Sequence, residues 1–379
     1  MKIAVPKEQH DARVAATPET VDKMVKAGLS VAVETGAGQA AGLDDSDYVK
    51  VGAQIAPDVV ALLSDADVVL KVQRPGLNAA GRHEVDLMKE GAALISVLQP
   101  LGDAELVRRL AARKITALAA DLMPRITRAQ RMDVLSAMSS VSGYKAVLLA
   151  AAAFGKFVPM MTTAAGTLPP AKVLILGAGV AGLQAIATAK RLGATVEAFD
   201  TRPAVKEQVE SLGATFVELG LGQQAEDAGG YATELSADHI QKEKEIIGQR
   251  IKAADIVITT ALVPGKAAPV LITAEMVASM KKGSVIVDLA VEQGGNCALT
   301  QPGQATAHGV TIIPAANLPA TVPIHSSQMY AKVIAAFLFH LWVDKTLKID
   351  PNDEITRGTL VTHKGEIVHA AVKAAMATA

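Results

Sequence analysis

Aromatic side chains are scarce in this 379-residue sequence: 3% of the total, with one tryptophan, four tyrosines and six phenylalanines. A core with so few rings must be filled by aliphatic side chains, and apolar residues at 50% are plentiful enough. That mixture suits parallel strands covered by helices. Cysteine is nearly absent as well. Cys297 stands alone, so no internal disulfide can form, and no Cys/His spacing for zinc exists. No metal site is expected. The net charge of -1 lacks the basic excess of a nucleic-acid binder or a polybasic membrane patch. Long apolar runs are missing too. "AVLLAAAAF" (146–154) and "VIAAFLFHLWV" (333–343) fall short of the roughly 20 residues that span a bilayer, so buried helices are expected. The opening "MKIAVPKEQHDARVAATPE" turns polar too early for a signal peptide. A soluble, cytosolic protein fits.

What is present alternates strand with helix, over a length that suggests two domains. Strands are expected at 2–6, 29–36, 67–72, 93–98 and 115–123. A helix opens at Thr17-Pro18, a cap followed by proline at the first helical position, with Gly28 closing it. A long helix is expected over about 129–154, then a loop over 162–172. Further strands follow at 215–219, 255–260, 283–290 and 310–314, then a helical run from about 325 and a tail that returns to the first domain. The fold class is α/β: two Rossmann-like βα domains with parallel sheets, joined by long helices, with a cleft between them. The expected boundaries are 1–135 plus 325–379 for a discontinuous N-terminal domain, and 136–324 for a nucleotide-binding domain.

The densest signal is "AKVLILGAGVAGLQAIATAKRLGATVEAFD" (171–200). Gly177, Gly179 and Gly182 form GxGxxG between an apolar strand and a helix. The first glycine allows the tight turn, the second lets backbone approach a pyrophosphate, and the third lets helix and strand pack closely. Val180 opens the helix whose N-terminus faces the phosphates. Asp200 ends the next strand, followed by Thr201 and Arg202. Its carboxylate suits adenosine ribose hydroxyls and repels a 2′-phosphate, which favours NAD(H) over NADP(H); Arg202 would suit a phosphate, but Asp200 holds the strand tip.

Four segments carry a family likeness: "MPRITRAQRMDVLS" (123–136), "LGAGVAGLQAIATAKRLGA" (176–194), "ITTALVPGKAAPVLIT" (258–273) and "VIVDLAVEQGGNC" (285–297). The chain closely resembles the NAD(H)-binding, alpha-1 components of proton-translocating nicotinamide nucleotide transhydrogenases, over nearly its whole length. Alanine dehydrogenases share the fold. The resemblance implies direct hydride transfer from NADH on this chain to NADP+ on a separate NADP(H)-binding component. A membrane-spanning component would couple the transfer to inward proton movement. It also implies a homodimer, no nucleic-acid partner, and a cytoplasmic location, peripherally associated with the inner face of the bacterial cell membrane. Transfer between two nicotinamide rings needs positioning and exclusion of water rather than an acid or base.

The resemblance also assigns residues. Arg125 and Ser136 would hold the nicotinamide carboxamide or a neighbouring phosphate; Gln130 and Asp133 would steer the ring and the partner. The three-residue spacing of 130, 133 and 136 places them along one face if the segment is helical. Where the family pattern reads Ser-Gln, this chain has Ala137 and Met138. Tyr231, with Gly229 and Gly230 as flex points, would close a long loop over the nucleotide. Thr260, Ala261 and Leu262, then Asp288, Glu292 and Asn296, and Asn317 would lie beside it. Cys297 reads as a small buried hydrophobe, and His325 as a helix-start histidine. Two other readings remain. Arg13 and Lys71 match ketoacid-binding positions of alanine dehydrogenases, but their catalytic histidine is replaced here by Gln99, which cannot shuttle a proton. A non-catalytic NAD(H)-binding regulator is the third.

Overall fold

The computed structural model describes residues 1–218, 237–262 and 267–378. The chain divides into two units, Met1–Met138 with Pro319–Ala379, and Ser139–Leu318. The first begins with six parallel strands: β1 (Lys2–Val5), β2 (Ser30–Glu34), β3 (Gln54–Ala56), β4 (Val68–Leu70), β5 (Ala93–Ser96) and β6 (Thr116–Ala119). The helix Pro18–Lys26 starts after an extended Thr17, and the Thr20 hydroxyl accepts the Thr17 N–H at 3.0 Å. Gly28, at φ +85°, follows its end; that left-handed backbone is what closes a helix and favours glycine. The expected strand over 115–123 stops at Ala119, because Ala120–Leu122 turns into a 3-10 helix.

The long helix differs from expectation. Residues Thr127–Met132 form a 3-10 helix, Asp133 is extended, and the α-helix runs Val134–Ala153. Asp133 is the reason. Its carboxylate accepts the Ser136 N–H at 2.9 Å and the Ser136 hydroxyl at 2.5 Å, and so caps the helix. Gln130, Asp133 and Ser136 therefore occupy a 3-10 turn, a cap and a first helical turn; the single helical face expected for them does not form. At 20 residues, Val134–Ala153 is longer than the apolar run inside it, and by length and composition it is long enough to cross a membrane. Its second half is instead core of the second unit. Ala146, Val147, Ala150 and Phe154 are buried there against β-strand side chains.

The second unit continues with a hairpin, β7 (Met161–Thr163) and β8 (Gly166–Leu168), inside the stretch expected as a loop. Then come β9 (Lys172–Leu176), β10 (Thr195–Phe199), β11 (Thr215–Val217), β12 (Ile256–Thr259), β13 (Val285–Asp288), β14 (Ala305–Ala307) and β15 (Val310–Pro314). They form one sheet in the order β11-β10-β9-β12-β13-β15-β14, parallel except for β14. Alternation explains the unbroken apolar runs. Val173 and Ile175, Ile256 and Ile258, and Val285 and Val287 fill the layer on one face. Leu174 and Leu176, Val257 and Ile286 fill the layer on the other. Both faces are covered, so both must be apolar.

The chain then returns to the first unit with the helix Pro323–Leu341, a short hairpin of β16 (Trp342–Val343) and β17 (Thr346–Leu347), and β18 (Leu360–His363) with β19 (Glu366–Ile367). β18 pairs antiparallel with β6, completing the order β19-β18-β6-β5-β4-β1-β2-β3. The tail thus joins the first sheet.

Gly143 is the tightest point of the long helix: a Cβ there would sit 2.0 Å from the Ala181 carbonyl oxygen. Overpacking typically costs about 1–3 kcal/mol, and backbone cannot step aside as a side chain can. Gly143→Ala is expected to lower the thermal unfolding midpoint clearly, whereas Gly155→Ala, with no atom within 4 Å of its added carbon, leaves it near wild type. Calorimetry of the two variants checks this.

Candidate functional site

The strand order of the second unit reverses direction between β9 and β12, both neighbours of the first βα turn. Open parallel sheets bind ligands at that reversal, beyond the strands' carboxyl ends. The glycine turn occupies it. Gly177 has φ +101°, and a Cβ on it would lie 2.6 Å from the Thr260 hydroxyl oxygen. That hydroxyl donates to the Gly177 carbonyl at 2.9 Å, and the Thr260 N–H donates to the Leu176 carbonyl at 2.8 Å. Gly182 is held closer still: a Cβ would fall 1.9 Å from the Gly177 carbonyl oxygen. Gly179 differs in kind. Its φ is -72°, ordinary for any residue, and its added carbon would meet nothing nearer than Arg202 at 4.0 Å. Neither strain nor crowding within the chain demands glycine at 179; the space above it, beside the helix Val180–Arg191, is the size of the missing side chain. Exposed Val180 opens that helix, whose free N–H groups and dipole suit a pyrophosphate. The residues fit the nucleotide expected from the sequence.

Asp200 is buried and joins this turn to the following loop. Its carboxylate accepts the Ala178 N–H at 2.7 Å, the Arg202 N–H at 2.9 Å, and the Arg202 guanidinium at 2.9 and 2.8 Å. Thr201 lies half-buried between the pair. Arg202 is thereby held against Asp200.

The other strand ends supply the rest of the edge. Half-buried Ala261 and exposed Leu262 follow Thr260 after β12. Asn296 grips that loop: its side-chain oxygen accepts the Ala261 N–H at 3.1 Å, and its amide donates to the carbonyls of Ala261 and Pro269 at 2.9 and 2.8 Å. Asp288 and Asn296 are fully buried, so they do not lie open to a ligand as the sequence suggested. Asp288 instead accepts five hydrogen bonds, from the Thr259 and Thr300 hydroxyls and the N–H groups of Ala290, Asn296 and Cys297, at 2.7–3.1 Å. Sequence reasoning missed this organising role, since its donors span residues 259–300. Glu292 stands exposed on the 3-10 turn after β13, and Asn317, at φ +43°, follows β15. Both occupy the same carboxyl edge. Cys297 is buried, which pushes its thiol up from the usual range; an inert hydrophobe is what remains. Gly229, Gly230 and Tyr231 lie outside the described residues.

Arg125, Gln130, Asp133 and Ser136 belong to the first unit. Arg125 and Gln130 are exposed, while Asp133 and Ser136 bond each other. Ala137 and Met138 pack into that unit's apolar core, so Met138 fills space. The ketoacid-type positions are committed to carboxylates. Arg13 forms a two-pronged pair with buried Asp11 at 2.9 and 2.6 Å. Lys71, 1% exposed, bonds Glu8 and Glu84, each at 3.1 Å. Burial alone would lower the Lys71 ammonium, but the two carboxylates outweigh it and hold it above its usual range. Gln99 is exposed, at φ +49°.

Comparison with known proteins places these features. The description "Alanine dehydrogenase/PNT, N-terminal domain" matches residues 4–142, and "Alanine dehydrogenase/PNT, C-terminal domain" matches residues 146–370. This chain belongs to that family. It is 52% identical to a split-form NAD(P) transhydrogenase subunit alpha of Rhodospirillum rubrum, over 98% of this chain and 99% of the relative. It is 31% identical to the alanine dehydrogenase of Halomonas elongata, over 98% and 96%. Among solved structures, a transhydrogenase from Sinorhizobium meliloti is similar at TM-score 0.86 and 41% identity, covering 97% of this chain and 100% of that one. An L-alanine dehydrogenase reaches 0.84 at 29% identity, covering 100% and 99%. The fold is common to both branches; the sequence sides with the transhydrogenase subunits.

Asp288 generates a test of the edge. Asp288→Ala strands five donors, and an unsatisfied buried group costs about 1–3 kcal/mol. The variant is expected to melt well below wild type and to lose NADH binding, read by calorimetry and by fluorescence titration.

Proposed function

We propose that this chain is the NAD(H)-binding subunit of a proton-translocating transhydrogenase, acting on NADH only in the company of an NADP(H)-binding component. The full-length likeness to the Rhodospirillum rubrum subunit carries the reading. The second unit, with its glycine turn, helix N-terminus and strand-edge loops, holds the dinucleotide. A bound nicotinamide supplies the hydride, which passes to NADP+ on the partner, giving NAD+ and NADPH with no proton exchanged with water. The chain's own residues therefore bind, orient and exclude water. Exposed Arg125 and Gln130, and the Asp133–Ser136 pair beside them, are the candidates for orienting the carboxamide and receiving the partner; Tyr231 is the candidate for closing over it. A membrane-spanning component would couple transfer to proton movement, which puts this subunit, as a homodimer, on the inner face of the bacterial membrane.

An amino-acid dehydrogenase needs a group that moves a proton to or from the substrate. The position where alanine dehydrogenases carry histidine is Gln99 here, and Lys71 and Arg13 are already neutralised by buried carboxylates.

The experiment mixes the purified chain with an NADP(H)-binding component and follows hydride exchange between nucleotides. Exchange is expected with the partner, and no NADH oxidation by pyruvate and ammonia without it. Gln130→Asn is expected to keep NADH affinity while transfer falls by up to about 100-fold, the scale of a 1 Å misplacement. Unchanged transfer in that variant contradicts the orienting role.

A further inference from the structure

The helix Ala237–Ile251 presents one stripe to the sheet, at four-residue spacing: Glu243, Ile247 and Ile251. Ile247 and Ile251 lie in the apolar layer with Leu174, Leu176, Phe199 and Val217. Glu243 continues the stripe and is 7% exposed. It is thus a carboxyl on the buried face of an amphipathic helix. No hydrogen bond or ion pair to it is present among the described residues. An apolar residue would complete the stripe without the cost of burying a polar group.

Its height along the sheet follows from a second contact. Arg250 pairs with Glu197 of β10 at 3.3 Å, which registers the helix against that strand. Seven residues back from Arg250 is Glu243, about 10 Å of helix. Three residues on from Glu197 is Asp200, about 10 Å of strand. Helix and strand run in opposite directions across this pairing, so the two carboxyls reach the same level at the carboxyl edge. Asp200 and Glu243 do feel each other's charge.

We propose that Glu243 is the second carboxylate of the adenosine-ribose subsite, accepting a ribose hydroxyl and repelling a 2′-phosphate. Asp200 already holds four donors from Ala178 and Arg202, which leaves little acceptor capacity on its two oxygens. Glu243 has its full capacity open. The inference rests on reading the second unit as the NAD(H) site.

A pH dependence follows. Burial, then the Asp200 charge, pushes the Glu243 carboxyl up to about 7, with Lys244 opposing. The other charged groups nearby are committed or face outward: Arg202 to Asp200, Arg250 to Glu197, Lys206 to Glu218, with Lys242, Glu245 and Glu275 exposed. Accepting a hydroxyl favours the ionised form, so NADH affinity rises as pH climbs through about 7. In the free protein the sign is opposite. The protonated acid is the form the fold favours, so its contribution to stability is full below about pH 4.5 and lost as pH rises through about 7.

The test titrates wild type, Glu243→Gln and Glu243→Leu with NADH and NADPH between about pH 6 and about pH 8. Wild type is expected to bind NADH more tightly as pH rises and to discriminate against NADPH. Glu243→Gln is expected to lose about tenfold in NADH affinity, to flatten the pH profile and to narrow the discrimination. Glu243→Leu is expected to do the same while melting higher than wild type. If wild type binds NADH but both variants keep its pH slope and its NADH-to-NADPH ratio, Glu243 is only a packing residue and the proposal is overturned. If wild type binds no NADH, the nucleotide reading fails with it.

Discussion

The second unit depends on a contact between two pieces of backbone. The helix after the glycine turn approaches so closely that a Cβ on Gly182 would lie 1.9 Å from the Gly177 carbonyl. That approach points the helix N-terminus at the carboxyl edge of the sheet, where its free N–H groups can meet an anion. Around it the chain adds cross-ties from three directions: Thr260 from the strand beside the turn, Asp200 from the strand on the other side, and the long helix through Gly143 against Ala181. Each tie ends on backbone of the turn or of its helix. The phosphate site is thus positioned by main chain, and the side chains around it act as its scaffolding.

Periodicity made most of this legible. The parallel strands of both sheets were readable because a strand covered on both faces must be apolar throughout, as "KVLIL" and "DIVIT" are. The glycine turn was readable because each glycine serves a separate steric purpose at a fixed offset. Features that depend on distant partners were hidden. Asp288 reads as an acid at a strand tip, and only folding shows it gathering donors from Thr259 to Thr300. Asp133 reads as one position in a polar helical repeat, yet its short carboxylate competes with the helix and starts it later. The three-residue β3 and the hairpin of β7 and β8 were too short to leave a pattern. Glu243 passed unnoticed because one acid in a helix rich in Lys and Glu looks solvated; its burial follows from the sheet it packs against.

Dehydrogenase and transhydrogenase share this scaffold because both must hold one dinucleotide at the same edge. They differ in what completes the reaction. Oxidising an amine or alcohol requires a proton acceptor on the same chain. Exchange between two nicotinamides requires a second protein and a dry contact. Here the buried cations of the first unit are paired with acids, and the histidine position holds glutamine. The chemistry left to the chain is binding and presentation.

The most direct test follows the transferred atom. With NADH deuterated at the reacting carbon, NADP+ on a partner component, and both chains present, the account predicts deuterium in NADPH and none in water. Label washed into solvent, or NADH consumed by a small metabolite with no partner present, would contradict it.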